Sequence, residues 1–502
     1  MMKKILGKVL EPQLFAVCYL VFLAINMVQI INPMAVTRIF LALFALWGLA
    51  IGIRSYLSGK EAWTGKLMPV LFVFLAVCLG AELLNFSYGG IRRLGEFCYF
   101  ALCILVLYRQ YGARLASYTK FLKRLSAILG AVLSVMIAVS LWMYVNMVSI
   151  ELVNRKGETV TIGFHINRLF GLFSSPNVGG LFALILLWCS IVSLYLRRGT
   201  KHYKLWIAAS AVQILLAAAY LSVALSRGAN LVGMGFVIVF MLLRPATDWE
   251  LSKRVWKQLA IRAVSAALAL GISVCAVSVM QKVLVGCMQV TFYQKYDIVM
   301  EDIDSIDPEN PNLSEDARKA LKILQGAMLG FDGRVESDRE DIDITNKRSD
   351  IWKAHLSILT GEKIFTGVND PYLWYTDMTN SGVTFTEHQK FYIEWAGGNM
   401  HNGFVQILVN CGLFALLAML LFIVLCFVRC LRYFCSALRQ GGCADERYAV
   451  FALSLPMVLC ILGNNIVETN FVLMGANFFQ AMFWVLAGAA VFCAPGKQEE
   501  VQ

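Results

Sequence analysis

The stretch Gly397–Leu417, GGNMHNGFVQILVNCGLFALL, ends a polar knot and opens an apolar run of about 27 residues. Asn399 and Asn402 flank His401 at the junction as candidate helix caps. A helix starting here directs its free N–H groups and positive dipole end at the polar boundary, which suits a neutral histidine and an anionic ligand. The histidine is either a plain capping residue or a functional one, and the rest of the chain supplies the context.

Working outward, further apolar runs of spanning length fall at about 14–31, 37–53, 67–86, 94–108, 125–149, 177–196, 205–224, 228–243 and 259–281. With those at 402–428, 448–467 and 472–493 they make about twelve. The chain is 59% apolar and 15% charged over 502 residues. The fold class expected is an all-α polytopic membrane protein with one large extracytoplasmic loop between helices 9 and 10. Residues 1–283 form helices 1–9, residues 284–400 the loop, and residues 401–502 helices 10–12 and a short tail.

The charges orient it. Loops after even-numbered spans hold twenty-one basic residues and the short loops opposite hold seven. The even side, with both termini, is therefore cytoplasmic. The net charge of +11 is a topological signature and requires no nucleic-acid partner. The first span, behind Lys3, Lys4 and Lys8, reads as a retained signal anchor. Nearly all fourteen cysteines lie in spans or cytoplasmic loops, so no disulfide framework is expected.

Several charges collect on the outer side. Arg92 and Arg93 precede the short fourth span, so they sit at headgroup depth, pairing with Glu82 and Glu96 or meeting a ligand. Arg168 precedes a turn that leads through Pro176 and Asn177 into the sixth span. Arg227, between spans seven and eight, has almost no aqueous loop to occupy, and a charge at that depth is costly. Arg348 opens an amphipathic helix near 348–360, expected to lie on the interface. Glu468, in the last outer turn, calls for one of these arginines as its partner. No Gly-Lys-Ser phosphate loop, paired-histidine zinc motif or nucleophile elbow occurs. No cofactor or metal is expected.

The sequence resembles the O-antigen ligase family of membrane proteins. The motifs are Arg168-Leu-Phe-Gly-Leu-Phe-Ser-Ser-Pro-Asn177, Ser226-Arg227-Gly228-Ala229, Arg348-Ser-Asp-Ile-Trp352 with Thr366-Gly-Val-Asn369, and His401-Asn402 followed by Gly412-Leu413. They span residues 165 to 430 in order; the acidic stretch from 297 to 345 departs from the pattern. The resemblance implies transfer of a glycan from a polyprenyl-diphosphate donor to the hydroxyl of a glycan or glycolipid acceptor. The reaction would run at the outer face of the cytoplasmic membrane, in contact with membrane lipid, in cell-surface polysaccharide biosynthesis. It implies arginines that neutralise the diphosphate without a metal: Arg227 and Arg168, then Arg348, then Arg92 and Arg93. His401 would be the general base, with Glu468, Asn402 and Asn177 supporting. Ligase and polymerase remain open, and a secondary transporter or lipid-linked oligosaccharide flippase is the reading of another class.

Overall fold

The computed structural model describes residues 9–28, 35–57, 67–88, 90–109, 115–153, 159–165, 168–298, 313–332, 348–469 and 477–494, with Gly7 and scattered positions from 303 to 310. Lys3, Lys4 and Lys8 and part of the acidic stretch, including 333–345, lie outside the described residues.

The chain is a helical bundle. Before the first polar excursion come α1 (Pro12–Asn26), α2 (Ala35–Leu57), α3 (Met68–Leu84), α4 (Gly90–Arg109) and α5 (Leu115–Val145). Then follow α6 (Pro176–Leu196), α7 (Tyr203–Ala224), α8 (Arg227–Leu243) and α9 (Val255–Tyr296). Polar elements α10 (Glu315–Asp332), α11 (Arg348–Leu356), α12 (Pro371–Asn380) and α13 (Glu387–Ala396) precede α14 (Gly403–Gln440), α15 (Glu446–Asn464) and α16 (Phe478–Cys493). Among the described residues seven helices are long and apolar enough to cross a membrane, and four shorter ones are apolar too. The α6 and α16 helices are apolar on all faces and form the buried centre, whereas α9 exposes most of its apolar surface.

Two expectations are corrected. The segment between α5 and α6 is not helical or loop throughout. It forms a three-stranded antiparallel sheet, β1 (Ser149–Val153), β2 (Thr159–His165) and β3 (Arg168–Gly171). The β-branched run Thr159-Val-Thr-Ile162 favours the pleat, and Phe164 and Leu169 are buried beneath it. The fourth apolar run, which looked too short, belongs to the 20-residue α4, about 30 Å long at 1.5 Å per residue, with Arg92 and Arg93 in its first turn. Helix α9 runs without a break from Val255 through residue 284 to Tyr296.

Helix α11 packs its apolar side inward. Ile351, Ala354 and His355 are buried in a small core with Trp374, Tyr392 and Met400. His355 is fully buried with Nδ1 2.8 Å from the Ile351 carbonyl, and burial pushes its imidazole below the usual histidine range. The Trp352 indole donates to the Met400 carbonyl at 2.8 Å. Together these contacts fasten α11 to the segment that enters α14.

The α14 helix is broken near its start, at Gly412 (φ 81°, ψ 178°). A short irregular piece, Gly367–Asn369, takes up the carbonyls set free there. Val368 N–H donates to the Val409 carbonyl at 2.8 Å, and Asn369 N–H to that of Asn410 at 3.0 Å. The two backbones touch. A Cβ on Gly412 would lie 2.0 Å from the Phe365 oxygen, and one on Gly367 2.3 Å from the Asn410 oxygen. Phe365 stacks on Phe414 at 5.4 Å. Inside an apolar bundle an unpaired carbonyl is costly, so this clasp makes the break tolerable.

Candidate active site

The loop-bearing end of the bundle is built around one carboxylate. Glu468 lies in the turn after α15, with its side chain 20% exposed. Its Oε1 accepts from Arg348 Nη2 at 2.7 Å and from Asn177 Nδ2 at 2.5 Å, and its Oε2 faces His401 Nδ1 at 3.3 Å. Residues 120, 291 and 67 positions away in sequence thus share one acid. An ionised carboxylate only accepts, so His401 carries a proton on Nδ1, and in the neutral ring Nε2 is then the acceptor.

Three helix starts converge on this carboxylate. Ser175 caps α6, accepting from Val178 N–H at 3.2 Å; Ser226 caps α8, accepting from Ala229 N–H at 3.2 Å. Asn402 caps α14, accepting from Phe404 and Val405 N–H at 2.9 and 3.1 Å. The first two helix starts are linked, because Ser226 Oγ donates to Oδ1 of Asn177, in the first turn of α6, at 2.6 Å. The third joins through Gly403 N–H, which donates to the Asn465 carbonyl at 2.9 Å. Three dipole ends pointing inward favour negative charge here.

The arginines divide by role. Arg348 is at the centre, 18% exposed. Arg227 is the exposed first residue of α8, next to the Ser226 cap. Arg168 donates instead to the carbonyls of Ala224 (3.2 Å) and Leu225 (3.0 Å), closing the C-terminal end of α7 and fixing the turn that delivers Arg227. Arg93 pairs with Asp370, whose Oδ1 caps α12 by accepting from Tyr372 and Leu373 N–H at 3.1 Å each. Arg93 also lies 3.7 Å from Glu96, while Arg92 is largely exposed and 3.5 Å from Glu96. Glu82 is buried within electrostatic reach of Arg93. His401, Arg348, Glu468, Asn177 and Asn402 come together; Arg93 joins α4 to the loop through Asp370, and Arg92 lies exposed on α4 beside Glu96.

Sequence reasoning did not join Ser226 to Asn177. The Ser-Arg-Gly-Ala step carried the cap signal, but only the fold shows that the Ser226 cap also bonds Asn177 in the first turn of α6. Among the described residues no three of His, Cys, Asp and Glu gather as a metal site.

Burial pushes the Glu468 carboxyl up, but the His401 hydrogen bond, the Arg348 charge and the Asn177 amide outweigh it and hold it below the ordinary carboxylate value. A depressed carboxyl stabilises the fold above its ordinary range, and that contribution is lost as pH falls through its folded value. The melting-temperature advantage of wild type over Glu468→Gln should therefore be full at neutral pH and shrink below about pH 4.3. A constant difference between pH 7 and pH 3 would contradict the assigned ion pair.

Residues 212–420 match the family model described as O-antigen ligase. The matched segment includes Arg227, Arg348 and His401, and leaves Arg168, Asn177 and Glu468 outside it. No curated protein compared with the chain matches it.

Proposed function

With residues 212–420 belonging to the O-antigen ligase family, we propose that the chain moves a glycan from a polyprenyl-diphosphate donor to an acceptor hydroxyl. In this reading about twelve helices cross the cytoplasmic membrane, both termini are cytoplasmic, and the site opens on the outer face. The observation that carries the proposal is the Glu468 carboxylate holding both His401 and Arg348 where three helices begin.

The chemistry follows from those groups. Glu468 fixes the His401 tautomer, and Nε2 removes the acceptor hydroxyl proton as its oxygen attacks the anomeric carbon. The bond from that carbon to the diphosphate oxygen breaks, and the leaving lipid diphosphate gains negative charge. Arg348, with further N–H donors beyond the one given to Glu468, and Arg227 meet that charge with the helix dipoles. Arg168 acts through the backbone by holding the turn before Arg227. Imidazolium then returns its proton to water. One displacement inverts the anomeric centre. A ligase uses a separate acceptor molecule and a polymerase a second lipid-linked glycan; both fit the same site.

Arg227→Lys should lower kcat/KM for the donor about 10- to 100-fold, because an ammonium cannot reproduce a two-pronged phosphate contact. Unchanged kcat/KM would remove Arg227 from diphosphate recognition.

The test is reconstitution in vesicles with a polyprenyl-diphosphate oligosaccharide and EDTA, analysed by gel and mass spectrometry. A ladder of lipid-linked products identifies polymerisation, and single transfer to an added acceptor identifies ligation. Transbilayer movement of the donor without a new glycosidic bond would overturn the transferase reading in favour of transport.

A further inference from the structure

We infer that Asn399 and Thr469 are positioning residues that aim the His401 ring, an inference that rests on His401 acting as the base. The observation is a backbone one. His401 has φ 47°, in the left-handed region that side-chain-bearing residues seldom adopt without an external hold. The hold is visible. His401 N–H donates to Asn399 Oδ1 at 3.1 Å, and the same oxygen accepts from Thr469 Oγ1 at 2.7 Å. Asn399 is itself fixed by its N–H, which donates to the Ala396 carbonyl at 2.9 Å.

Thr469 is the neighbour of Glu468. The turn from Asn465 to Thr469 therefore grips His401 twice: its ring through Glu468 Oε2, and its main chain through Thr469 and Asn399. The Gly403–Asn465 hydrogen bond at 2.9 Å keeps that turn in register with the start of α14. Relaxation of His401 to an ordinary backbone conformation would swing Cβ, and with it the ring, away from the carboxylate. Nδ1 would lose its acceptor and Nε2 its aim.

The side chains suit this job specifically. One carboxamide oxygen has two lone pairs, enough for both donors, and a threonine hydroxyl supplies the second donor from the opposite wall. Thr469→Val keeps the shape and removes the donor; Thr469→Ser keeps the donor.

The test measures kcat, donor KM and melting temperature for these two variants and Asn399→Ala, in wild-type and His401→Ala backgrounds. Misplacing a catalytic group by about 1 Å costs on the order of 100-fold. Accordingly Asn399→Ala should lose about 10- to 100-fold in kcat and Thr469→Val about tenfold, with donor KM within about twofold. Thr469→Ser should restore wild-type kcat. In the His401→Ala background neither Asn399→Ala nor Thr469→Val should cost anything more, because there is no ring left to aim. Wild-type kcat in Thr469→Val beside a disabled His401→Ala overturns the latch alone, as do losses that persist undiminished without His401. A fully active His401→Ala overturns the base reading, and the latch with it.

Discussion

His401→Ala is expected to lower kcat about 10²- to 10⁴-fold, the usual contribution of a positioned general base, while donor KM stays near wild type. The ring stands 34% exposed at the mouth of the site, so its removal leaves no cavity in the packed bundle. The Asn402 cap of α14 and the Arg348–Glu468 pair do not depend on it. Melting temperature should therefore change little, separating the loss from unfolding. His401→Gln should be nearly as inactive, since an amide carries no basic nitrogen. If His401→Ala retains full kcat at saturating donor and acceptor, another group removes the proton and the site has to be reassigned.

Gly412→Val should do the most damage to the fold. Its Cβ would sit 2.0 Å from the Phe365 carbonyl oxygen, at φ 81°. The close approach is to backbone, so rotamer changes cannot relieve it. Either the Gly367–Asn369 piece withdraws, leaving the Val409 and Asn410 carbonyls without their donors, or α14 rebuilds its break. Steric strain and lost hydrogen bonds together place this among the rare substitutions costing about 4 kcal/mol or more. Detergent-solubilised Gly412→Val should melt well below wild type or fail to yield monodisperse protein. Gly235→Ala in α8, where nothing lies within 4 Å of the added Cβ, is the control and should be neutral or slightly stabilising. Equal melting temperatures for Gly412→Val and wild type would refute the clasp.

The junction at His401 could be read from local signals, because a cap is a property of adjacent residues. Asn402 does cap α14, and the apolar run does begin at Gly403. The break at Gly412 was hidden, since a lone glycine inside an apolar run also fits an unbroken helix. Its partner, Gly367, lies 45 positions earlier, and only their contact explains why both are glycine. Glu468 was legible as an acid wanting a cation; that Arg348 supplies it depends on how α11 docks. Arg168 depends on docking in the same way. The family resemblance placed it among the diphosphate-binding arginines; that the end of α7 lies beside it and takes two of its N–H groups was not legible in the sequence. Hydropathy windows misjudged two helix ends for a related reason. Charged residues in the first turn of α4, and Gln289, Gln294 and Lys295 late in α9, break an apolar average without breaking a helix.

In the proposed reaction lipid diphosphate is held where α6, α8 and α14 begin, against Arg227 and Arg348 and within reach of His401. The most direct test is an electron-cryomicroscopy map of the chain with polyprenyl diphosphate in lipid nanodiscs. The account predicts diphosphate density contacting Arg227 and Arg348, beside His401 Nε2, and its loss in Arg348→Ala. Diphosphate density at the opposite end of the bundle, or midway along it with His401 untouched, would contradict the account.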